Sequence, residues 1–286
     1  MFLKAIRIVA FVWIGFGLSV TSALSTQCEP PNGFAAFITE FKADAATQSI
    51  SPRVVAVLDG LTLDPQVIAL DRNQKHFSQS LEQFAGSRIT PQRIAKGLRM
   101  VREHAGALSL IERQIGVPSA IVVAIWGMET DFGANIGKQP SLRALATLAY
   151  DCRRSEMFQA ELMDALRIID RGDLKPDAMR GAWAGEIGQT QFLPSSYMKY
   201  AIDFDGDGRR DLIHSVPDVL ASTANYLKGS GWQRGQPWNE GSANFEALKK
   251  WNKAEVYVKT LAMYADKLQS GQVGKLGSNL SVAGRP

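Results

Sequence analysis

Apolar residues recur at three- and four-residue steps along most of the chain, which is the spacing of one face of an α-helix. Pro, Gly and Asp-Pro or Thr-Pro pairs separate these runs, as helix starts and ends do. We therefore predict a mainly α fold, α+β at most, without internal repeats or an interdomain linker. The predicted helices cover residues 29–46, 51–61, 90–115, 118–129, 141–150, 156–170 and 217–227, with a short segment from Asp64-Pro65, one or two helices over 245–268, and fraying from 270 onward.

The most apolar run, residues 121–133, carries the carboxylate Glu129 near its end, followed by Asp131. Ile121, Ala124 and Ile125 predict one buried helix face. Apolar neighbours and the C-terminal end of a helix both disfavour a charged carboxylate, so the pKa of Glu129 should be raised. A carboxyl that stays partly protonated near neutral pH can serve as a general acid. The alternative is an ordinary helix-end Glu that points into solvent.

Residues 179–194 are rich in Gly and amide side chains and show no clear periodicity. Glycine-lined backbone often marks the close approach of a ligand. Gln191 in this stretch, and Asn225 further on, are candidates to bind hydroxyl or acetamido groups. Aromatic side chains can stack on sugar faces, although core packing is the alternative for each of them. The aromatic candidates are Trp126, Trp183, Tyr197, Tyr226, Trp232 and Trp238.

Residues 203–214 begin like a calcium loop, with carboxylates Asp203, Asp205 and Asp207 at alternate positions and Gly206 at the sharp turn. Three carboxylates this close repel one another unless a cation lies among them. The backbone carbonyl of Arg209 is a further candidate ligand. His214 replaces the usual bidentate Glu, so Asp211 or Asp218 would complete the coordination. We predict a structural calcium or sodium ion; a plain acidic turn is the alternative.

The first 23 residues read as a signal peptide, because Lys4 and Arg7 precede a short apolar stretch and small residues at 21–23; an uncleaved membrane anchor is the alternative. Residues 24–286 then form a single unit. In an exported protein the two cysteines, Cys28 and Cys152, favour a disulfide. Loss of Lys4 and Arg7 reduces the formal charge of +4 to +2, and no basic cluster indicates nucleic-acid binding.

Several of these motifs together resemble the lytic murein transglycosylases of the B type. The resemblance covers most of residues 24–286, in order, and its combination of motifs is specific. It implies a lysozyme-like fold with a long substrate cleft, in a soluble periplasmic enzyme that cleaves peptidoglycan glycan strands. We expect a monomer, with cell-wall synthesis or remodelling proteins as further partners. The matching segments are residues 125–133, 145–149, 183–197, 203–208 and 222–227.

The resemblance places Glu129 on the single catalytic acid/base, Gln191 and Tyr226 on cleft positions, and the Asp203 loop on a calcium-type site. It implies cleavage between N-acetylmuramic acid and N-acetylglucosamine without water, which gives a 1,6-anhydro product. This chain departs from the family at Ala182, where relatives often have Ser, and at Glu186, where many have a small residue. Two alternatives therefore remain. One is a muramidase-type hydrolase that uses Glu129 with Glu186 or Asp131, and the other is a glycan-binding protein without catalysis.

Overall fold

The computed structural model describes residues 26–73 and 79–282, with side chains as far as residue 271. The predicted signal peptide, residues 1–23, therefore lies outside the described residues. The mainly α prediction is confirmed. In chain order the helices are α1 (Gly33–Thr47), α2 (Pro52–Val55) followed by a 3₁₀ turn (Ala56–Leu58), α3 (Pro65–Arg72), α4 (Leu81–Arg88), α5 (Pro91–Glu103), α6 (Ala105–Ile115), α7 (Ser119–Thr130), α8 (Ser141–Tyr150), α9 (Ser155–Asp170), α10 (Pro194–Tyr200), α11 (Val216–Gly229), α12 (Ala243–Trp251) and α13 (Glu255–Val282).

Helix α7 is the central element of the fold. Its pattern predicts one buried face, but the structure buries every side chain from Ala120 to Met128. A helix that is apolar on all sides needs partners on all sides, and α13, α5, α6 and α11 supply them. The C-terminal end of α7 is therefore held rigidly, which fixes the position of Glu129.

The single helix predicted over residues 90–115 is two helices. Thr90 caps α5 as expected, since its hydroxyl accepts the backbone N–H of Arg93 at 3.2 Å. The chain breaks at His104, whose ring packs edge-on against Trp126 with 5.6 Å between centroids. Both halves pack on α7, but α5 also packs on α13, whereas α6 packs mainly on α11. The apolar spacing continues across the break, so the sequence pattern hides it.

The disulfide between Cys28 and Cys152 is present, as predicted, with 5.2 Å between the two Cα atoms. It joins the segment before α1 to the turn between α8 and α9. Gln159 of α9 reinforces the same junction, because its amide donates to the carbonyl of Thr26 at 2.6 Å. The N-terminal segment is thereby fixed beside α9.

A two-residue antiparallel ribbon pairs Gln139–Pro140 with Arg180–Gly181. A Cβ atom at Gly181 would lie 1.8 Å from the carbonyl oxygen of Glu186, so no larger residue fits there. The glycines of residues 179–194 predict the approach of a ligand. At Gly181 the approaching group is instead the protein's own backbone, which the folded loop brings into contact.

Helix α13 is assigned as far as Val282, well past residue 270 where the composition predicts fraying. Within the part of the chain that the structure describes, no single helix has the length and hydropathy of a membrane span. Helices α6 and α7 meet those criteria only as a pair, bent by 116° at the break between them.

Candidate active site

Glu129 lies at the floor of a cavity of about 410 Å³ between α7, α9, the 183–196 segment and the end of α12. The lining combines aromatic, charged and amide side chains, which is the mixture typical of a ligand site. The lining residues are Glu129, Arg154, Met157, Phe158, Trp183, Ala184, Glu186, Gln191, Phe192, Leu193, Ser196, Tyr226, Trp251 and Asn252.

Two aromatic side chains donate hydrogen bonds to the same oxygen of Glu129. The indole Nε1–H of Trp251 donates to Oε1 at 2.9 Å, and the hydroxyl of Tyr257 donates to Oε1 at 2.5 Å. Burial, together with the neighbouring Glu129 carboxylate, raises the pKa of Tyr257 well above its usual 10, so the phenol stays protonated and remains a donor. The carboxyl is thus fixed through Oε1, and Oε2 is the oxygen that these donors leave unclaimed.

Burial raises the pKa of Glu129 above its usual 4.5. The hydrogen bonds from Tyr257 and Trp251 and the more distant charge of Arg88 act in the opposite direction, but burial is the largest influence. This direction agrees with the sequence argument from apolar neighbours. The site therefore favours a carboxyl that keeps its proton to a higher pH than a solvent-exposed Glu.

The two other carboxylates considered from sequence have different surroundings. Asp131 turns away from the cavity and accepts a hydrogen bond from Lys96 Nζ at 2.9 Å. Glu186 lines the cavity, and its Oε2 accepts the backbone N–H of Ala184 at 3.0 Å. Burial, assisted by the nearby Glu129 charge, raises the pKa of Glu186. Glu186 is therefore the second carboxyl that shares the cavity with Glu129.

One side of the cavity is an aromatic cluster. Tyr226 and Trp251 meet with 4.9 Å between ring centroids, and Phe192 lies 5.6 Å from Trp251. The hydroxyl of Tyr226 donates to the carbonyl of Lys250 at 2.8 Å, which fixes the ring against α12. Trp183 also lines the cavity. Of the sequence candidates, Trp183, Gln191 and Tyr226 are thus brought to the cavity that contains Glu129.

Gln191 uses its amide to hold the cavity wall together. Its Nε2 donates to the carbonyls of Gly188 at 2.7 Å and Ile136 at 3.0 Å, and its Oε1 accepts the N–H of Ala182 at 3.2 Å. The backbone of Gln191 is left-handed, with φ of 55°, and this conformation turns the side chain back onto the loop. Its amide oxygen retains a second lone pair for another donor.

The structure corrects two of the predicted substrate-binding residues. Tyr197 is fully buried and donates its hydroxyl proton to the carbonyl of Arg210, so no sugar can reach it. Asn225 faces away from the cavity, because its amide donates to the carbonyl of Tyr200 at 2.9 Å. Both residues lie in helices, and the sequence pattern does not show which face of each helix points toward the cavity. Among the remaining aromatic candidates, Trp126 and Trp232 are buried and Trp238 donates to Asp266, outside the cavity.

Sequence reasoning missed Trp251 and Tyr257, the two donors to Glu129. They lie 122 and 128 positions after it, at the end of α12 and the start of α13. Their sequence signal is limited to two aromatic residues beside a helix break. The packing of α13 on α7 brings Tyr257 to the carboxyl, and the packing of α12 on α13 brings Trp251 there.

The predicted metal loop folds into an acidic cluster. Carboxylate oxygens of Asp203, Asp205 and Asp218 all lie within 4.8 Å of one another. Calcium binds each oxygen at about 2.3–2.6 Å, so two ligands on opposite sides of one ion are separated by about twice that distance. The 4.8 Å limit among these oxygens agrees with that separation. Asp218 is fully buried and its two oxygens also accept the backbone N–H groups of Phe204 and Asp211. This donor set fits a hard cation such as calcium.

Asp207 does not join the cluster, which corrects the predicted ligand set. Its Oδ1 accepts the N–H of Arg209 at 2.9 Å and its Oδ2 pairs with the Arg209 guanidinium at 3.3 Å. Asp211 also points elsewhere, because its Oδ2 lies 3.0 Å from His214 Nδ1. The loop curls so that the buried Asp218 of α11, rather than Asp207, faces Asp203 and Asp205. Sequence spacing could not distinguish these choices.

Comparison with known proteins identifies the family of this chain. The family described as "Transglycosylase SLT domain" matches residues 33–242. Membrane-bound lytic murein transglycosylase B of Escherichia coli (strain K12) is 40% identical over 148 residues, which are 51% of this chain and 41% of that protein. The match therefore spans less than half of that relative's length.

Solved structures extend the likeness. The chain resembles SltB3 from Pseudomonas aeruginosa in complex with NAG-anhNAM-pentapeptide, with a TM-score of 0.79, 32% identity and coverage of 82% of this chain and 79% of that one. It also resembles the Escherichia coli lytic transglycosylase Slt35 in complex with calcium, with a TM-score of 0.75, 25% identity and coverage of 82% and 93%. The chain thus belongs to the transglycosylase SLT domain family, as a lytic murein transglycosylase of the B type.

Proposed function

We propose that this protein cleaves peptidoglycan glycan strands between N-acetylmuramic acid and N-acetylglucosamine, without water, and leaves a 1,6-anhydro end. The observation that carries the proposal is the half-buried carboxyl of Glu129, held by two donors through one oxygen at the floor of an aromatic-walled cavity. SltB3, which the chain resembles, binds NAG-anhNAM-pentapeptide. Family membership and the site thus support the same substrate class.

In the first step, Glu129 acts as the general acid. Because Trp251 and Tyr257 both donate to Oε1, the carboxyl proton resides on Oε2 and points toward the glycosidic oxygen. The proton moves to that oxygen as the bond to the anomeric carbon breaks and an oxocarbenium-like centre develops. The new carboxylate is stabilised by the same two donors, so they are worth more in the transition state than in the ground state.

In the second step, the ionised Glu129 acts as the general base. The C6 hydroxyl of the muramic acid residue attacks its own anomeric carbon, and Glu129 takes the hydroxyl proton. One new carbon–oxygen bond closes the anhydro ring, and the acid is regenerated without water. A single carboxyl suffices for both steps.

Three further residues are proposed to hold the glycan. Trp183 and Tyr226 line the cavity and offer ring faces to sugars. Gln191 can accept a hydrogen bond from a sugar N–H or hydroxyl through the free lone pair of its oxygen. Its backbone contacts hold it in place before substrate arrives, which reduces the entropy lost on binding.

Product analysis of digested peptidoglycan tests the proposal. The wild-type protein should release anhydromuropeptides from purified sacculi, and Glu129→Gln should release none while keeping its fold by circular dichroism. Asp131→Asn is the matched control, because that carboxylate is held by Lys96 outside the cavity; it should keep substantial activity. Substantial anhydromuropeptide release by Glu129→Gln would place the acid elsewhere.

A second candidate function rests on Glu186. A hydrolase needs a second carboxyl to activate water or attack the sugar, and Glu186 shares the cavity with Glu129. Mass spectrometry separates the two reactions, since hydrolysis leaves a reducing end in place of the anhydro ring. A protein that binds sacculi but releases neither product would be a glycan-binding protein.

The acidic cluster is proposed to hold a structural calcium ion. Asp203, Asp205 and Asp218 would bind it, with the Arg209 carbonyl as a further candidate. A bound cation would relieve the repulsion among the three carboxylates and would take no part in the reaction. We further propose export by the signal peptide to the periplasm, where the glycan substrate lies, and action there as a soluble monomer beside cell-wall remodelling proteins.

A further inference from the structure

A second cavity, of about 540 Å³, adjoins the cleft that contains Glu129. Arg154 and Met157 line both cavities, so these two side chains form the ridge between them. The disulfide forms one wall. The lining residues are Thr26, Gln27, Cys28, Cys152, Arg153, Arg154, Ser155, Glu156 and Met157.

The second cavity presents a partly exposed guanidinium group. The carboxylate of Asp71 is almost fully buried and accepts from both Arg153 and Arg154. Asp71 binds Arg153 through Nη1, so the other N–H donors of Arg153 remain for a ligand. The side chain of Arg153 is 48% exposed, so the charge is available to a ligand. Glu156 also lines the cavity and is exposed, so the rim carries both signs.

The ridge contains an unsatisfied donor. The Nε–H of Arg154 is buried and has no hydrogen-bond partner, the single such side-chain atom among the described residues. Buried donors nearly always find an acceptor, so an unpaired one often marks a place that a ligand or water completes. This donor lies on the residue that both cavities share.

We propose that the second cavity binds the stem peptide that is attached to N-acetylmuramic acid, with a peptide carboxylate paired to Arg153. The inference rests on the proposed function, because it assumes a muramyl residue beside Glu129. A guanidinium group is well suited to a carboxylate, since it offers parallel N–H donors. The exposed thioether of Met157 provides an apolar surface for the peptide as it crosses the ridge.

The reach of the peptide agrees with this assignment. An extended chain spans at most about 3.3–3.6 Å per residue, so a five-residue peptide reaches about 17 Å. The two cavities share their dividing residues, so the peptide has only to pass one pair of side chains. A glycan strand without peptides would occupy the Glu129 cleft and leave the second cavity unused.

Kinetics on two forms of one substrate test the proposal. Glycan strands with stem peptides are compared with the same strands stripped of peptides by an amidase. The wild-type protein should have a KM about 3- to 10-fold lower for the peptide-bearing strands, with similar kcat, as expected for one partly screened charged contact. Arg153→Gln should raise the KM for peptide-bearing strands to the stripped-strand value and leave the stripped-strand kinetics unchanged.

Arg72→Gln is the matched control. It removes a neighbouring arginine and its ion pair with Asp151 but lines neither cavity, so both substrates should behave as with the wild-type protein. Arg153→Lys, which keeps the charge, should restore part of the preference. If Arg153→Gln does not fold, Arg153→Lys takes its place: a smaller KM difference between the two substrates than in the wild-type protein supports the inference, and an unchanged difference overturns it.

Equal wild-type KM values for the two substrates would overturn the inference, and so would an equal loss on both in Arg153→Gln. Neither result would affect the proposed function, because anhydro products would still form. A wild-type protein that releases anhydro products from neither substrate would instead refute the proposed function.

Discussion

Replacing Tyr257 with Phe isolates one of the two hydrogen bonds that hold Glu129. The Tyr257 hydroxyl donates to Oε1 at 2.5 Å, and its side chain, in the first turn of α13, is buried. Phenylalanine fills nearly the same space and lacks only the donor. The variant therefore changes the environment of the carboxyl without disturbing the packing around it.

The magnitude follows from where negative charge develops. Glu129 becomes ionised as it gives up its proton, and a hydrogen bond to a charged group contributes about 1.5–3 kcal/mol. Trp251 remains on the same oxygen, so the lower end of that range applies. A loss of about 1.4 kcal/mol from the transition state lowers the rate about tenfold. The hydrogen bond also lowers the pKa of Glu129, so its removal raises that pKa further.

The assay is the pH dependence of kcat and kcat/KM for anhydromuropeptide release. Activity requires protonated Glu129 in the first step, so it declines as pH rises through the pKa of that carboxyl. Tyr257→Phe should lower kcat about tenfold. In this variant the decline in activity on the alkaline side of the pH profile should occur at a higher pH. Tyr264→Phe is the matched control, because the Tyr264 hydroxyl donates to the carbonyl of Arg93, outside the cavity. The reasoning would be refuted if the alkaline decline of Tyr257→Phe moved to lower pH, or if its kcat stayed within about twofold of the wild-type value.

Four other predictions follow from the same contacts. Glu186→Gln should retain the anhydro product, because the proposed reaction uses a single carboxyl; loss of that product would make Glu186 essential. Asp205→Asn should abolish the rise in Tm that calcium gives the wild-type protein in a melting titration; a wild-type Tm that ignores calcium would contradict the metal site. Replacing Cys28 and Cys152 with Ser opens a bridge across a sequence separation of 124, which should cost at most about 5 kcal/mol and lower Tm in calorimetry; an unchanged Tm would contradict a stabilising role for the disulfide. Glu129→Gln should raise Tm relative to the wild-type protein at pH 8 but not at pH 4. The folded-state pKa of Glu129 is raised, so the wild-type protein loses stability as the pH rises above the pKa of this carboxyl in the unfolded chain. Equal Tm differences at both pH values would argue against a buried carboxyl.

The helices were predictable because their signals are local. The spacing of apolar residues involves only residues within a few turns of one another. The boundaries of α8 and α9 could be predicted from such local signals. The break at His104 was not predictable, because the same apolar rhythm continues on both sides of it. What separates α5 from α6 is their different packing partners, and a sequence pattern does not identify partners.

The carboxyl itself was also readable from sequence. Glu129 follows an apolar helix, and apolar neighbours penalise a charge wherever that helix is packed. The direction of its pKa shift therefore needed only local information. The pairing of Cys28 with Cys152 was equally accessible, because the chain contains no other cysteine.

The surroundings of that carboxyl were decided by the tertiary structure. Trp251 and Tyr257 reach Glu129 because α13 packs on α7 and α12 packs on α13, and both residues lie more than 120 positions after Glu129. The same kind of long-range packing buried Tyr197, turned Asn225 onto Tyr200, and brought the predicted ligand Asp218, but not Asp207, into the acidic cluster. The amino-acid order determined which residue could serve as an acid and where helices form. Which side chains meet that acid depends on contacts between distant segments, and these exist only once the core has assembled.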